Sequence, residues 1–313
     1  MPGGGAARRA LRIGGGLALL ALVAWFVGFE RLVAALRSVD PATFGLAVAF
    51  SILSNLASAA RWAYIARALG LVAPTSRLVL MYARAMTSNT LLPGATVSGD
   101  LLRSYELSRL GNPLLESTAS VGFDRLSGLW TLCVLSFMAA GLLTLGGATL
   151  AELGDARAVL WTYGIALGAI TIAPFLPWPV RTLRRLRSPI AHRLVDLWDR
   201  LHAPGSVLKR RLVRSLGLSF VVQLLSASAL ALGAGALGVG ASWLVLFAAA
   251  APIFLMAALP LGVAGFGTRE LAAVAVLGLA GVPADLAAGT GLLYGICGVV
   301  QGILAAPLFF ARR

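Results

Sequence analysis

Charge is scarce in this sequence. Only 12% of its 313 residues are Asp, Glu, Lys or Arg, against about a quarter in an ordinary soluble domain. What charge there is runs one way, with 26 basic residues, 12 acidic ones and a net charge of +14. No aromatic-rich basic module accompanies that excess, so nucleic acid is not an expected partner. Lysine occurs once, at Lys209, and the other 25 basic residues are arginine. With Ala, Gly and Leu dominant, this fits a GC-rich bacterial genome and says nothing of mechanism. The two cysteines, Cys133 and Cys297, sit in apolar runs and read as packing residues rather than a disulfide. The two histidines, His192 and His202, lie in a basic loop, and no metal is assigned to them. The chain has no Ser-His-Asp set, P-loop, dinucleotide fingerprint or metal motif. A conventional hydrolase or a nucleotide-driven pump is therefore disfavoured, and no cofactor is expected.

Hydrophobic residues make up 59% of the chain, and the mean hydropathy is +0.88. Several stretches reach the roughly 20 apolar residues that cross a bilayer as a helix. They are continuous rather than alternating, which argues against a β-barrel. The expected fold is all-α, a polytopic membrane bundle forming a single domain over 1–313. Full spans are expected over 13–29, 42–60, 125–146, 158–176, 215–237 and 286–309, with 30–41, 147–157 and 238–242 as connections. Arg61 and Trp62 read as anchors at the interface. Between Arg181 and Arg214 there are ten basic residues and two Asp. Leu183, Leu186, Ile190, Leu194, Leu197 and Leu201 recur there at helical spacing, predicting an amphipathic helix on the inner leaflet. Basic segments at both termini, at 61–77 and at 180–214 put these on the cytoplasmic side of a bacterial inner membrane.

Two stretches interrupt the pattern. Pro93 and Gly94 break an apolar run, and a second helical run begins near Ser98, Gly99 and Asp100. Pro260 and Gly262 do the same later, followed by Gly265, Gly267, Thr268, Arg269 and Glu270. The halves, roughly 78–92 with 98–111 and 243–259 with 267–281, are each too short to span. They read as broken or re-entrant hairpins. Together with six full spans they form an inverted repeat, over 12–146 and 158–310, with Pro93 and Pro260 meeting near the bilayer midplane. Paired broken helices of this kind mark midplane sites in transporters.

Asp100, Arg103, Glu106 and Arg109 follow at i,i+3, so neighbours pair on a helix. Asp100 to Arg109 covers about 13–14 Å, which sets Asp100 deep in the membrane and Arg109 near its surface. A charge at depth costs at least about 2.5–3.5 kcal/mol and faces protein or a wet cavity. Two readings stand side by side, an ion-pair network stapling the broken helix and a site for a lipid head group. The helix starts near Ser98 and near Gly267–Thr268 present free N–H groups to an anion. Arg103 and Arg269 are the expected phosphate partners, with Asp100 and Glu270 orienting them. Asp124 and Arg125 read either as an interfacial pair or as closing the same site, and Arg61 is a further candidate. Asn55 and Gln223 read as interhelical hydrogen-bonding residues.

These residues resemble those of a known family, the lysylphosphatidylglycerol synthase transmembrane region, also called the flippase-like domain. The resemblance rests on Arg61-Trp62, on Asn89 to Arg103, on Ser120 to Arg125 and on Pro260 to Glu270. It implies a flippase that moves aminoacylated phosphatidylglycerol between leaflets. In full-length members a separate soluble domain makes that lipid, and no such domain is seen in this sequence. Stand-alone relatives are associated with polyprenyl-phosphate-linked glycan pathways. The leading expectation is thus a transporter of a phosphate-containing lipid, not an enzyme, moving it downhill or by ion coupling. The rivals are a non-catalytic partner of a separately encoded lipid or glycan synthase, and a membrane-embedded enzyme acting on a lipid phosphate through Asp100 or Glu270.

Overall fold

In the computed structural model the described residues are 29–91, 96–145, 156–172, 176, 178–186, 188–259 and 265–310. Their secondary structure is helical throughout. The first half carries α1 (Phe29–Arg37), α2 (Pro41–Ala68), α3 (Thr75–Leu91), α4 (Thr96–Ser108) and α5 (Leu114–Leu145). Then come α6 (Ala156–Ile172), α7 (Trp178–Leu183) and α8 (Pro189–His202). The second half carries α9 (Val207–Ala236), α10 (Trp243–Ala258), α11 (Thr268–Gly278) and α12 (Ala284–Phe310). Among the described residues four helices are long and apolar enough to cross a membrane: Pro41–Ala68, Leu114–Leu145, Val207–Ala236 and Ala284–Leu308. The expected span over 13–29 and the breaks at Pro93, Gly94, Pro260 and Gly262 lie outside the described residues.

Several boundaries differ from expectation for identifiable reasons. Residues 30–41 hold the helix α1 rather than a plain connection. Glu30 in its first turn and Arg37 in its last suit the helix dipole, and Leu36 packs on the core. Helix α2 runs on to Ala68. That leaves Arg61 and Trp62 inside the bundle, 5% and 0% exposed, rather than at an interface. Its start is well specified: Asp40 accepts from the Thr43 N–H at 2.9 Å, and Pro41 fills the first turn. Helix α9 begins at Val207, capped by Ser206, so its first two turns carry Lys209, Arg210, Arg211 and Arg214. The basic segment is accordingly two helices and the start of a third. Helix α8 seats Leu197, and the start of α9 seats Leu208, in a cluster that includes Trp62, Leu78 and Leu107.

Proline at position 252 falls within α10 and removes the N–H that would bond the Ala248 carbonyl. The Tyr163 hydroxyl of α6 donates to that carbonyl at 2.6 Å. One residue earlier, Ser136 of α5 enters the same ladder. Its hydroxyl donates to the Phe247 carbonyl at 2.9 Å and accepts from the Ala251 N–H at 3.1 Å. A backbone group left bare in hydrocarbon costs several kcal/mol, and these two side chains prevent that.

The elements follow one order twice. A long helix is followed by two short ones and another long one, as α2, α3, α4, α5 and again as α9, α10, α11, α12. Their contacts also match on exchanging the halves. Helix α3 lies on α12 as α10 lies on α5, and the long helices α2 and α9 share the most extensive contact. Small residues line that central seam. The Ser54 hydroxyl is 2.7 Å from that of Ser226 and donates to the Val222 carbonyl at 3.1 Å, as suits close helix approach in a membrane.

Candidate functional site

Helix α2 presents Ser51, Ser54, Asn55, Ser58 and Arg61 at i,i+3/4 spacing, so one face of an apolar helix is polar over about 15 Å. Opposite it, α9 offers Ser219, Gln223 and Ser226. Between them lies a cavity of about 460 Å³. Its wall also includes Tyr82 and Asn89 of α3, Asp124 and Arg125 of α5, Arg269 of α11, and Tyr294 and Gln301 of α12. Such a volume falls in the range of small-molecule sites.

The first-half charges form one chain. Arg61 Nε donates to Asp124 at 2.8 Å, and Arg103 Nη1 donates to the other oxygen of Asp124 at 3.0 Å. Arg103 Nη2 reaches Asp100 at 2.8 Å, and Asp100 receives two bonds from Arg125, at 2.8 and 2.7 Å. Neighbours on a helix point about 100° apart, so Asp124 and Arg125 do not pair with each other. Three guanidiniums against two carboxylates leave the chain with a net charge of +1. Gly128 makes room for it, since a Cβ there would lie 3.1 Å from Arg61 Nη1. Gln223 donates to the Gly128 carbonyl at 2.9 Å.

Arg103 is 2% exposed. The Trp62 and Tyr82 ring centres lie 5.0 and 4.9 Å from its guanidinium carbon. With two carboxylates and two rings as neighbours, it stands behind the wall as a positioning residue. Arg103 is thus shielded from the cavity, whereas Arg125 lines it with its side chain 45% exposed. Glu106 turns from Arg103 to Arg84, at 3.2 Å.

The two helix starts are also less open than expected. The Gly99 N–H donates to the Asn89 side-chain oxygen at 2.7 Å, and the Ser98 hydroxyl reaches the Ser88 carbonyl at 3.3 Å. A Cβ at Gly99 would fall 2.4 Å from the Ala85 carbonyl oxygen, so α3 and α4 meet only because that residue is glycine. At α11 the Gly267 N–H donates to Glu270 Oε2, and the Thr268 hydroxyl to the Gly265 carbonyl at 3.1 Å. Gly265 and Gly267 have φ of 76° and 88°.

Arg269 reaches the cavity from the second half. Its guanidinium carbon lies 5.4 Å from the Phe266 ring centre and 5.9 Å from that of Tyr294. A Cβ at Gly295 would sit 2.2 Å from its Nη1 and one at Gly265 2.8 Å from its Nη2, so two glycines cradle the group. Glu270, 2% exposed, places Oε1 3.9 Å from Arg269 Nη1. The fold thus brings Arg61, Asp124, Arg125 and Arg269 to one cavity, with Asp100 and Arg103 behind it.

Asn55 and Gln223 do bond to neighbouring helices, Asn55 to Gln301 and Gln223 to Gly128. Tyr82, Tyr294, Gln301 and the serines of α2 escaped the sequence reading. The signal for the serines was present, as polar residues at helical spacing inside a hydrophobic run.

Among proteins with curated descriptions, none matches the chain. A family model described as the lysylphosphatidylglycerol synthase TM region matches residues 11–306, nearly the whole length. On that match, this polar cavity walled by membrane helices is found in a chain that belongs to the lysylphosphatidylglycerol synthase TM region family.

Proposed function

We propose that the protein is a flippase-like transporter of a phosphate-containing lipid in a bacterial inner membrane. The observation that carries this reading is the placement of Arg125 and Arg269, one from each half, on the wall of one cavity. A guanidinium binds phosphate through paired N–H donors. The chain of charges behind Arg125 has a surplus of one positive charge, which favours an anionic head group. The apolar wall residues Leu129, Phe254 and Val299 suit the first carbons of a lipid.

The duplicated order of helices supports an inverted repeat. In that reading α3–α4 and α10–α11 are broken hairpins entering from opposite faces, and six full spans complete the bundle. Alternating exposure of a site between two such halves is the usual basis of transport. The termini and the 180–214 segment then face the cytoplasm.

Proteoliposomes holding fluorescent phosphatidylglycerol test the reading. The wild type is expected to move label between leaflets, and Arg125→Ala and Arg269→Ala to move it about ten- to a hundredfold more slowly, from loss of a charged hydrogen bond. A wild-type rate no higher than that of protein-free vesicles would sink the idea.

A further inference from the structure

Glu270 is a carboxylate held at depth with one oxygen in use. Its Oε2 accepts the Gly267 N–H, while Oε1 has no hydrogen-bond partner among the described residues. Buried polar atoms are nearly always bonded, so such an atom calls for an explanation. Helix α11 is packed between α10 and α12. Helix α10 contributes no ionisable side chain, and α12 contributes Tyr294 and Cys297. The remaining charged neighbour is Arg269 on the same helix. Gly291 brings α12 close, since a Cβ there would lie 3.1 Å from the Glu270 Cα.

Resting on the transport reading above, we infer that Glu270 binds one proton whenever the cavity binds one anionic head group, so that lipid and proton move together without net charge. Arg269 and Glu270 sum to zero while the cavity is empty. A phosphodiester drawn onto Arg269 takes that guanidinium as its own counterion and leaves the buried Glu270 carboxylate unbalanced at −1, apart from the surplus on the Arg61–Arg125 chain, in surroundings where an unbalanced ion costs several kcal/mol. A proton taken from water onto Oε1 restores zero. The new O–H bond at Oε1 replaces one O–H bond of hydronium, which leaves water behind, and the oxygen that receives the proton is the one with no hydrogen-bond partner among the described residues. Release of the lipid on the far side returns Arg269 to Glu270 and frees the proton there. Asp100 and Asp124 cannot serve in this way. Each is bonded to two guanidiniums, and protonating Asp124 would leave Arg61, or protonating Asp100 would leave Arg125, without its counterion.

The test is proton uptake by the purified protein in weakly buffered detergent, titrated with short-chain phosphatidylglycerol. About one proton is expected per lipid bound, with affinity falling up to about tenfold per pH unit as pH rises. Glu270→Gln preserves the bond to Gly267, as the cap accepts either residue. It is expected to bind the lipid without taking up a proton. In vesicles with an imposed pH gradient, the wild type should enrich fluorescent phosphatidylglycerol in the leaflet facing the alkaline side, and a membrane potential alone should not. Glu270→Gln should equalise the leaflets under a pH gradient and, moving the anionic lipid without a proton, should respond to a membrane potential instead. Wild-type binding without proton uptake overturns the inference even if transport stands, and so does a gradient response retained by Glu270→Gln. Absence of both binding and movement in the wild type instead defeats the transport reading itself.

Discussion

Asp124 neutralises two arginines at once, Arg61 and Arg103, and all three are nearly inaccessible. Removing that carboxylate leaves Arg61 a buried cation without its anion and Arg103 with Asp100 alone, and breaking one such buried pair costs about 3–5 kcal/mol. Asp124→Asn is therefore expected to lower the melting temperature in detergent far more than Asp100→Asn, since Asp100 is partly exposed and Arg125 can turn to solvent. Equal losses from the two substitutions would contradict the division of roles between the carboxylates. The sequence singled out Arg61, Asp100, Arg103, Asp124 and Arg125, because charges are rare inside apolar runs. It disclosed the Asp100–Arg103 pair, at i,i+3 on one helix, but not the pairs between helices. Which carboxylate meets which arginine depends on how α2, α4 and α5 lean on one another, and no local spacing encodes that. The rings that flank Arg103 were hidden for the same reason, since Trp62 and Tyr82 come from two different helices.

Within the elements, α10 is the clearest case of a helix repaired by its neighbours. Tyr163→Phe strips the Ala248 carbonyl of its donor and is expected to cost about 1 kcal/mol, in line with interhelical hydrogen bonds in membranes. Pro252→Ala supplies the missing N–H from within the helix, so Tyr163→Phe should cost almost nothing in that background. Unchanged cost in the double-mutant cycle would show that the hydroxyl is not compensating for the proline. Glycines offer a second comparison. Gly99→Ala forces a methyl group against the Ala85 carbonyl and should part α3 from α4, whereas Gly122→Ala meets open space and should be neutral or slightly stabilising. Thermal unfolding of the two variants would separate these outcomes. Proline and glycine made the short helices visible in the sequence, and their bounds came within a few residues. The overrun of α2 to Ala68 and the early start of α9 were not visible, because charged residues at those ends looked like loops.

At the scale of the molecule, the halves meet along α2 and α9. Replacing Ser54 and Ser226 by cysteine, with Cys133 and Cys297 removed, should give a disulfide under a membrane-permeable oxidant. Cleavage within 203–206 should then leave two fragments that separate only on reduction. Failure to cross-link would contradict the seam. The membrane class was plain from composition. The cavity was not, because its wall draws on residues up to 250 positions apart, such as Ser51 and Gln301, and sequence periodicity reports one helix at a time. The chain of charges also constrains the order of synthesis. Arg61 and Arg103 leave the ribosome well before Asp124, the anion they share. Until that residue emerges, α4 has only Asp100 on its own turn to pair with its arginine and little hydrophobicity of its own to hold it in lipid. In nascent chains arrested just before residue 124 a cysteine placed in α4 should stay open to a water-soluble maleimide, and in chains arrested after α5 it should be shielded. Insertion of this protein would then be a delayed, collective event, in which a late helix draws an earlier one into the membrane.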